Sequence, residues 1–303
     1  MCIRDRHDRI GKVKYNIRAM LSDVKNEVTD LYGNKYINDN NTTQEGFPIS
    51  SWYGYVSDGY FQSKEEINNY PVYGNNKDNV KPGYIKYKDI SGPDGKPDGV
   101  INEYDKTNLG SPMPKFTFGW TNTFRYKDFD LSIFINGSYG NKVMNYLGMQ
   151  LTHMNSAWEN QLNSVTGRAR LEPIDPDKVY PAGQYWYDDV TNVRVSNPEA
   201  VIPRASIQDP NDNDRISDRY VEDGSYLRCK QLQIGYTLPK KWTKKISLRL
   251  SFSAQNPFTI TGYSGMDPEA AALGTEGKVT ESGIDWAGYP NPRTYLFGIN
   301  MNF

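Results

Sequence analysis

The stretch "KFTFGWTNTFRYKDFDLSIFINGSYG", residues 115–140, puts an apolar side chain at nearly every second position on both sides of a Tyr126-Lys127-Asp128 turn. Phe116, Phe118, Trp120 and Phe124 share one face before the turn, and Phe129, Leu131, Ile133, Ile135 and Tyr139 continue it afterwards. Thr117, Gly119, Thr121 and Thr123, then Asp130, Ser132, Asn136 and Ser138, fill the alternate places. A period of two is the period of a strand, so the segment predicts a long antiparallel hairpin with one apolar and one polar face. Such a face must be covered either by a second sheet, as in a sandwich, or by lipid, as on a transmembrane barrel.

The same period recurs along the chain. Val13, Tyr15, Ile17, Ala19 and Leu21 alternate with mostly polar residues in "KVKYNIRAMLS", and "SWYGYVSDGYF" (51–61) is a second, aromatic-rich candidate. Leu232, Ile234, Tyr236 and Leu238 alternate in "YLRCKQLQIGYTL", where the pattern slips near Lys230 and predicts a bulge. Ile246, Leu248, Leu250, Phe252 and Ala254 follow after the short turn "PKKWTKK", and the last strand runs from Tyr295 to Phe303. The count is about seven strands. Their connections alternate between short and very long, which suits a barrel with short turns at one end and long loops at the other. Leu21–Ile49 breaks that rule, so either a strand pair is hidden there or one turn is long.

Composition narrows the classes. Aromatics make up 13% of the chain, too many for a disordered segment, and the net charge of -1 gives no field to attract nucleic acid. Mean hydropathy is -0.74, and no run of 18 apolar residues occurs, which rules out a helical span but not a barrel. Cys2 and Cys229 are too few and too separated for a disulfide framework or a zinc site. Residues 1–11 carry no apolar segment typical of a signal peptide. "MCIRDR" resembles translated adapter sequence, so 1–11 reads as a leader foreign to the fold and 12–303 as the folded part.

Five segments together resemble the SusC/RagA-like TonB-dependent outer-membrane transporters of Bacteroidetes: "FPISSWYGYVSDGYFQSKEEI", the run from "GYIKYKDISGPDGKPDG" to "FINGSYGN", "SDRYVEDGSYLRCKQLQIGYTLPKKW", "LRLSFSAQNPFTITGYSGMDPE" and "YPNPRTYLFGINMNF". They keep the family's order from about Phe47 onward. The resemblance implies an all-β fold: a C-terminal portion of an antiparallel transmembrane β-barrel, about seven strands of roughly 22, with long extracellular loops containing a short helix. It implies import of oligosaccharides or peptides across the outer membrane, no enzymatic activity and no required cofactor. It further implies a SusD-like surface lipoprotein, the TonB complex acting through a plug upstream of this chain, and the barrel-assembly machinery, which would read the terminal Phe303. The alternative is a secreted all-β carbohydrate-binding or glycoside-hydrolase domain with its apolar faces packed in a sandwich.

Three candidate sites stand beside plainer readings. Counted from Asp94, oxygen side chains fall at loop positions one, five, nine and twelve (Asp94, Asp98, Asn102, Asp105), approximating a calcium loop with Gly99 at the turn. Lys96 occupies a ligand position and Asp105 is shorter than the usual Glu; Asp89 and Ser91 substitute if "PDGK" loops out, and a metal-free Asp-Gly turn is the alternative. Tyr185, Trp186 and Tyr187 beside Asp188 suit sugar stacking, or simply pack their loop. Val143, Leu147, Leu151, Met154, Trp158, Leu162 and Val165 recur at helical spacing, predicting a helix over the barrel mouth that contacts the loops or the lipoprotein. No nucleophile motif or phosphate loop is present, and the paired carboxylates lie in polar runs.

Overall fold

The computed structural model describes residues 2–37, 41–155, 158, 160–244, 246–271 and 282–303. Seven strands form one sheet in sequence order: β1 (Cys2–Ile10), β2 (Val13–Asp23), β3 (Phe116–Tyr126), β4 (Phe129–Tyr139), β5 (Tyr226–Thr237), β6 (Ser247–Thr261) and β7 (Thr294–Asn302). Every neighbouring pair is antiparallel, so the sheet is a plain meander. Two-residue turns close β1–β2 and β3–β4, with Gly11 at φ +59° and Lys127 at φ +51° providing the left-handed residue that a tight hairpin needs. A short helical turn, Lys240–Thr243, joins β5 to β6. The other three connections, 24–115, 140–225 and 262–293, are long and all leave from the opposite end.

This order corrects two expectations. Ser51–Phe61 is no barrel strand: Ser51–Gly54 and Ser57–Tyr60 belong to two different small sheets within the first long connection. Its aromatics are dense because Trp52, Tyr55, Tyr60 and Phe61 are buried in a loop core, not because they face lipid. The sheet instead gains β1 from the leader, which backbone pairing holds although the side-chain pattern fails. Arg6 and Asp8 face Ile17 and Tyr15 across the ladder, on the side that is predominantly apolar in the other six strands. The Leu21–Ile49 anomaly then disappears, because β2 runs into a long connection at the long-loop end and the tight turns all lie at the other.

The register lines up the apolar face across the sheet: Trp120 faces Ile135, Ile133 faces Leu232, Ile234 faces Phe252 and Phe252 faces Phe297. Among the described residues no second sheet covers this face; Phe297 is 85% and Ile299 67% exposed. That removes the sandwich, whose core this stripe would have to be. The predicted bulge is present, since Lys230 is skipped in both of β5's ladders. Opposite it in β6 stand Asn256, at φ +49°, and Pro257, which lacks the N–H that a regular ladder requires.

Among the described residues nearly all the buried apolar side chains lie outside the sheet, in the long connections. Trp52 from the first, Met144, Met149, Tyr220 and Val221 from the second and Ile284 from the third form one cluster. The Trp52 indole N–H donates to the Lys142 carbonyl at 3.1 Å. Tyr55 and Ser217 form a parallel bridge, as do Met144 and Ile284. Two further clusters, one around Tyr55, Ile85 and Ile101 and one around Phe61, Ile67 and Tyr84, complete a folded cap at one end of the sheet.

Candidate functional site

The polar face of the sheet carries paired charges, one set at the tight-turn end and one at the end that approaches the cap. Arg249 on β6 clasps both carboxylate oxygens of Asp130 on β4, reaching across Gly235 of β5; a Cβ there would lie 2.3 Å from the guanidinium. Glycine at this place is what lets a two-strand reach occur.

Nearer the cap, Arg228 on β5 is buried and donates to Thr259 Oγ1 at 2.9 Å, Glu269 at 2.6 Å and Asp267 at 2.6 Å. Lys230 adds a second cation to Glu269 at 2.7 Å, and Asn291 donates backbone and side-chain N–H groups to Asp267 at 3.0 Å. Burial alone would raise the Asp267 carboxyl, but the Arg228 guanidinium and the N–H groups of Asn291 and Glu269 outweigh it and hold it at about 2. The third connection is thereby pinned to the sheet at both of its described ends. This also explains physically why "YLRCKQ", "MDPE" and "YPNPR" occur in one sequence: they meet in one network.

Within the cap, helix α1 (Tyr146–His153) starts on Asn145, whose side chain accepts from the Gly148 N–H, and stops at Met154, at φ +55°. It is shorter than the stripe from Val143 to Val165 predicts: Val143 lies in a strand, Lys142–Met144, and 163–167 form a separate 3-10 turn. Against α1 opens a cleft of about 740 Å³, walled by Leu147, Leu151, Val201 and Met266 and by two charged residues, Arg219 and Glu222. Arg219 donates to the Tyr60 hydroxyl and, at 2.6 Å, to the Val201 carbonyl. Glu222 accepts from Asn145 at 2.8 Å and from Ser264 at 2.7 and 2.8 Å. Among the described residues neither has an ion-pair partner. Burial pushes the Tyr220 hydroxyl, which donates to the Asn213 carbonyl, up to about 12, with Arg219 pulling the other way.

The sequence-predicted residues are placed differently. Asp105 is fully buried, but its oxygens accept the backbone N–H groups of Ile90, Ser91 and Asn102 at 2.8 to 3.2 Å. Asp89 likewise accepts from Asp98 and Gly99, at 3.3 and 2.6 Å, and Asn102 caps Tyr104. Asp94 is exposed in a bulge closed by Gly95 N–H to Gly92 carbonyl at 2.9 Å. Asp94, Asp98, Asn102 and Asp105 are therefore not gathered as one cation cage; the carboxylates of Asp89 and Asp105 organise the loop by holding its amides. Among the described residues, the one His, Cys, Asp or Glu trio with ligand atoms within 4.8 Å of one another is His153, Asp209 and Asp214. There His153 Nε2 lies 2.5 Å from Asp209 and Nδ1 3.7 Å from Asp214. Both ring nitrogens face carboxylates, so the trio is occupied by contacts among its own members. Tyr185, Trp186 and Tyr187 do come together: Tyr185 stacks on Tyr187 at 5.1 Å and 6°, Trp186 meets Tyr187 edge-on, and Asp188 accepts the Tyr185 N–H at 3.2 Å. Phe303, one residue beyond β7, is 95% exposed.

Sequence reasoning missed Arg219 and Glu222, which sit in the polar run "SDRYVEDG" with no period to mark them. Their presence within a segment that carries the family resemblance is the one signal that pointed there.

No protein-family model matches the chain. It is 32% identical over 265 residues to the TonB-dependent receptor P3 of Formosa agariphila, covering 86% of this chain and 23% of that protein. It is 26% identical over 264 residues to the TonB-dependent receptor SusC of Bacteroides thetaiotaomicron, covering 82% of this chain and 22% of that one. The fold matches a solved structure of the RagAB peptide transporter with a TM-score of 0.66 at 19% identity, over 98% of this chain and 28% of the other. The chain thus spans about a quarter of the length of the curated relatives it matches.

Proposed function

The chain belongs to the SusC/RagA-like TonB-dependent receptors, and from that premise we propose that its sheet is a section of barrel wall in the outer membrane and its cap part of an outer vestibule for nutrient import. The observation that carries this reading is the apolar stripe that runs across β2 to β7 and lies open to the surroundings while the packed core sits in the loops. Lipid is the medium that suits such a stripe, and the polar face, with Asp130 and Arg249 paired on it, suits a wet lumen. The cargo in this reading is an oligosaccharide or a peptide, and the process is conformational with no covalent chemistry. Energy would come from the TonB complex through a plug contributed by another part of the receptor, and a SusD-like lipoprotein would close over the cap.

The test compares two substitutions on one strand. Leu250→Arg puts a charge on the apolar face and should lower the level of folded receptor in the outer-membrane fraction, at about 2 to 4 kcal/mol for a site at the bilayer midplane. Ser253→Arg, on the polar face opposite Gln233, should be tolerated. Equal tolerance of both, or recovery of the protein from the soluble fraction without detergent, would defeat the membrane reading.

A further inference from the structure

Resting on that import reading, we infer that the cleft beside α1 is a binding subsite for short peptides with free termini and apolar side chains, not for a glycan. The cleft's volume of about 740 Å³ falls within the range of roughly 300 to 1,000 Å³ typical of small-ligand sites. Its wall is aliphatic at Leu147, Leu151, Val201 and Met266, which suits branched or unbranched alkyl side chains.

The charges decide the class. Arg219 and Glu222 have opposite sign, line the same cleft, and among the described residues neither is neutralised by the other or by another side chain. Arg219 spends its donors on a neutral hydroxyl and a carbonyl, and its Nε is buried with no acceptor. A cation held that way gains when a carboxylate arrives, because a charge-assisted hydrogen bond replaces a neutral one. Glu222, held only by amide and hydroxyl donors, offers the complementary place for an ammonium group. A free peptide carries both charges with an apolar body between them, while a neutral glycan carries neither.

The aromatic surfaces support the same choice. Sugar sites present open ring faces, yet among the described residues of the cleft wall the one ring, Tyr220, is 4% exposed. The exposed Tyr185 and Tyr187 rings spend their facing surfaces on each other.

The experiment is isothermal titration of the whole receptor that carries this chain, in detergent micelles, with strand content checked by circular dichroism, against trileucine, N-acetyl-trileucine amide and maltotriose. Trileucine should bind, the doubly blocked peptide should bind about tenfold more weakly or worse, as loss of charged hydrogen bonds demands, and maltotriose should give no heat. Arg219→Gln and Glu222→Gln should each weaken trileucine by a similar factor, and Arg219→Lys, which keeps the charge, should recover part of it. The inference is overturned if maltotriose binds as well as trileucine, if blocking the termini changes nothing, if the neutral variants bind like the parent, or if the folded receptor binds no peptide. Each of those results leaves the membrane reading untouched, since Leu250→Arg is scored in the bilayer and does not involve the cleft.

Discussion

At the scale of single residues, the charged groups on the polar face act as fasteners. Asp267, held at about 2 by Arg228 and two backbone N–H groups despite burial, has a folded value below its ordinary one. The stability it contributes is therefore fully present above about pH 4 and is lost as the pH falls through about 2. Limited proteolysis of the 262–293 connection should speed up over that window. Asp267→Asn, which leaves the buried Arg228 without one of its carboxylates, should cut faster already at neutral pH and show a flattened acid response; an unchanged acid response in the variant would show that another group controls it. These contacts were not legible in the sequence. Arg228 reads as a polar residue in an alternating strand, and Asp267 lies 39 positions away; nothing local marks the pair.

At the scale of elements, the strands were the most legible part of the chain, because a face laid against a uniform medium imposes a strict period of two. The hairpin of β3 and β4, the slip at Lys230 and the terminal strand all follow that rule. Residues 51–61 misled because a buried loop core also collects aromatics, and β1 escaped notice because its backbone pairs without the pattern. The bulge at Lys230 is itself a working part. It offsets the register so that Arg228 and Lys230 both reach Glu269 while Cys229 points to the apolar side opposite Phe258. Deletion of Lys230, the residue left out of both ladders, should make the strand regular with Arg228 still on the polar face and Cys229 still on the apolar one. Thiol labelling of Cys229 by a water-soluble maleimide should then stay at the parent's level, and a rise would place the slip elsewhere.

At the scale of the whole molecule, the sheet and the cap differ in what holds them. The sheet is held by backbone ladders and its surroundings, while the cap is held by side chains from three connections far apart in sequence. Trp52, fully buried at their meeting point, is the test: Trp52→Ala should cost the cap about 3 to 5 kcal/mol, exposing its amides to hydrogen exchange while those of β3 to β5 stay protected. Equal loss of protection in both would mean that cap and sheet fold as one unit. The cap was the least legible part of the chain, because its long-range contacts impose no period, and the cleft was hidden with it.

The shared core of the cap also bears on how such a protein can change over generations. A connection that packed alone could be exchanged for another without disturbing its neighbours. Here Trp52, Val221 and Ile284 fill one another's space, and Gly283 leaves room for Pro112 and Trp52 where a Cβ would lie 2.7 Å from the proline. A new loop must therefore arrive with its two companions or find partners of the same shape. The shape of a cap built this way is inherited as a block, and is altered by trading whole caps more readily than by trading single loops.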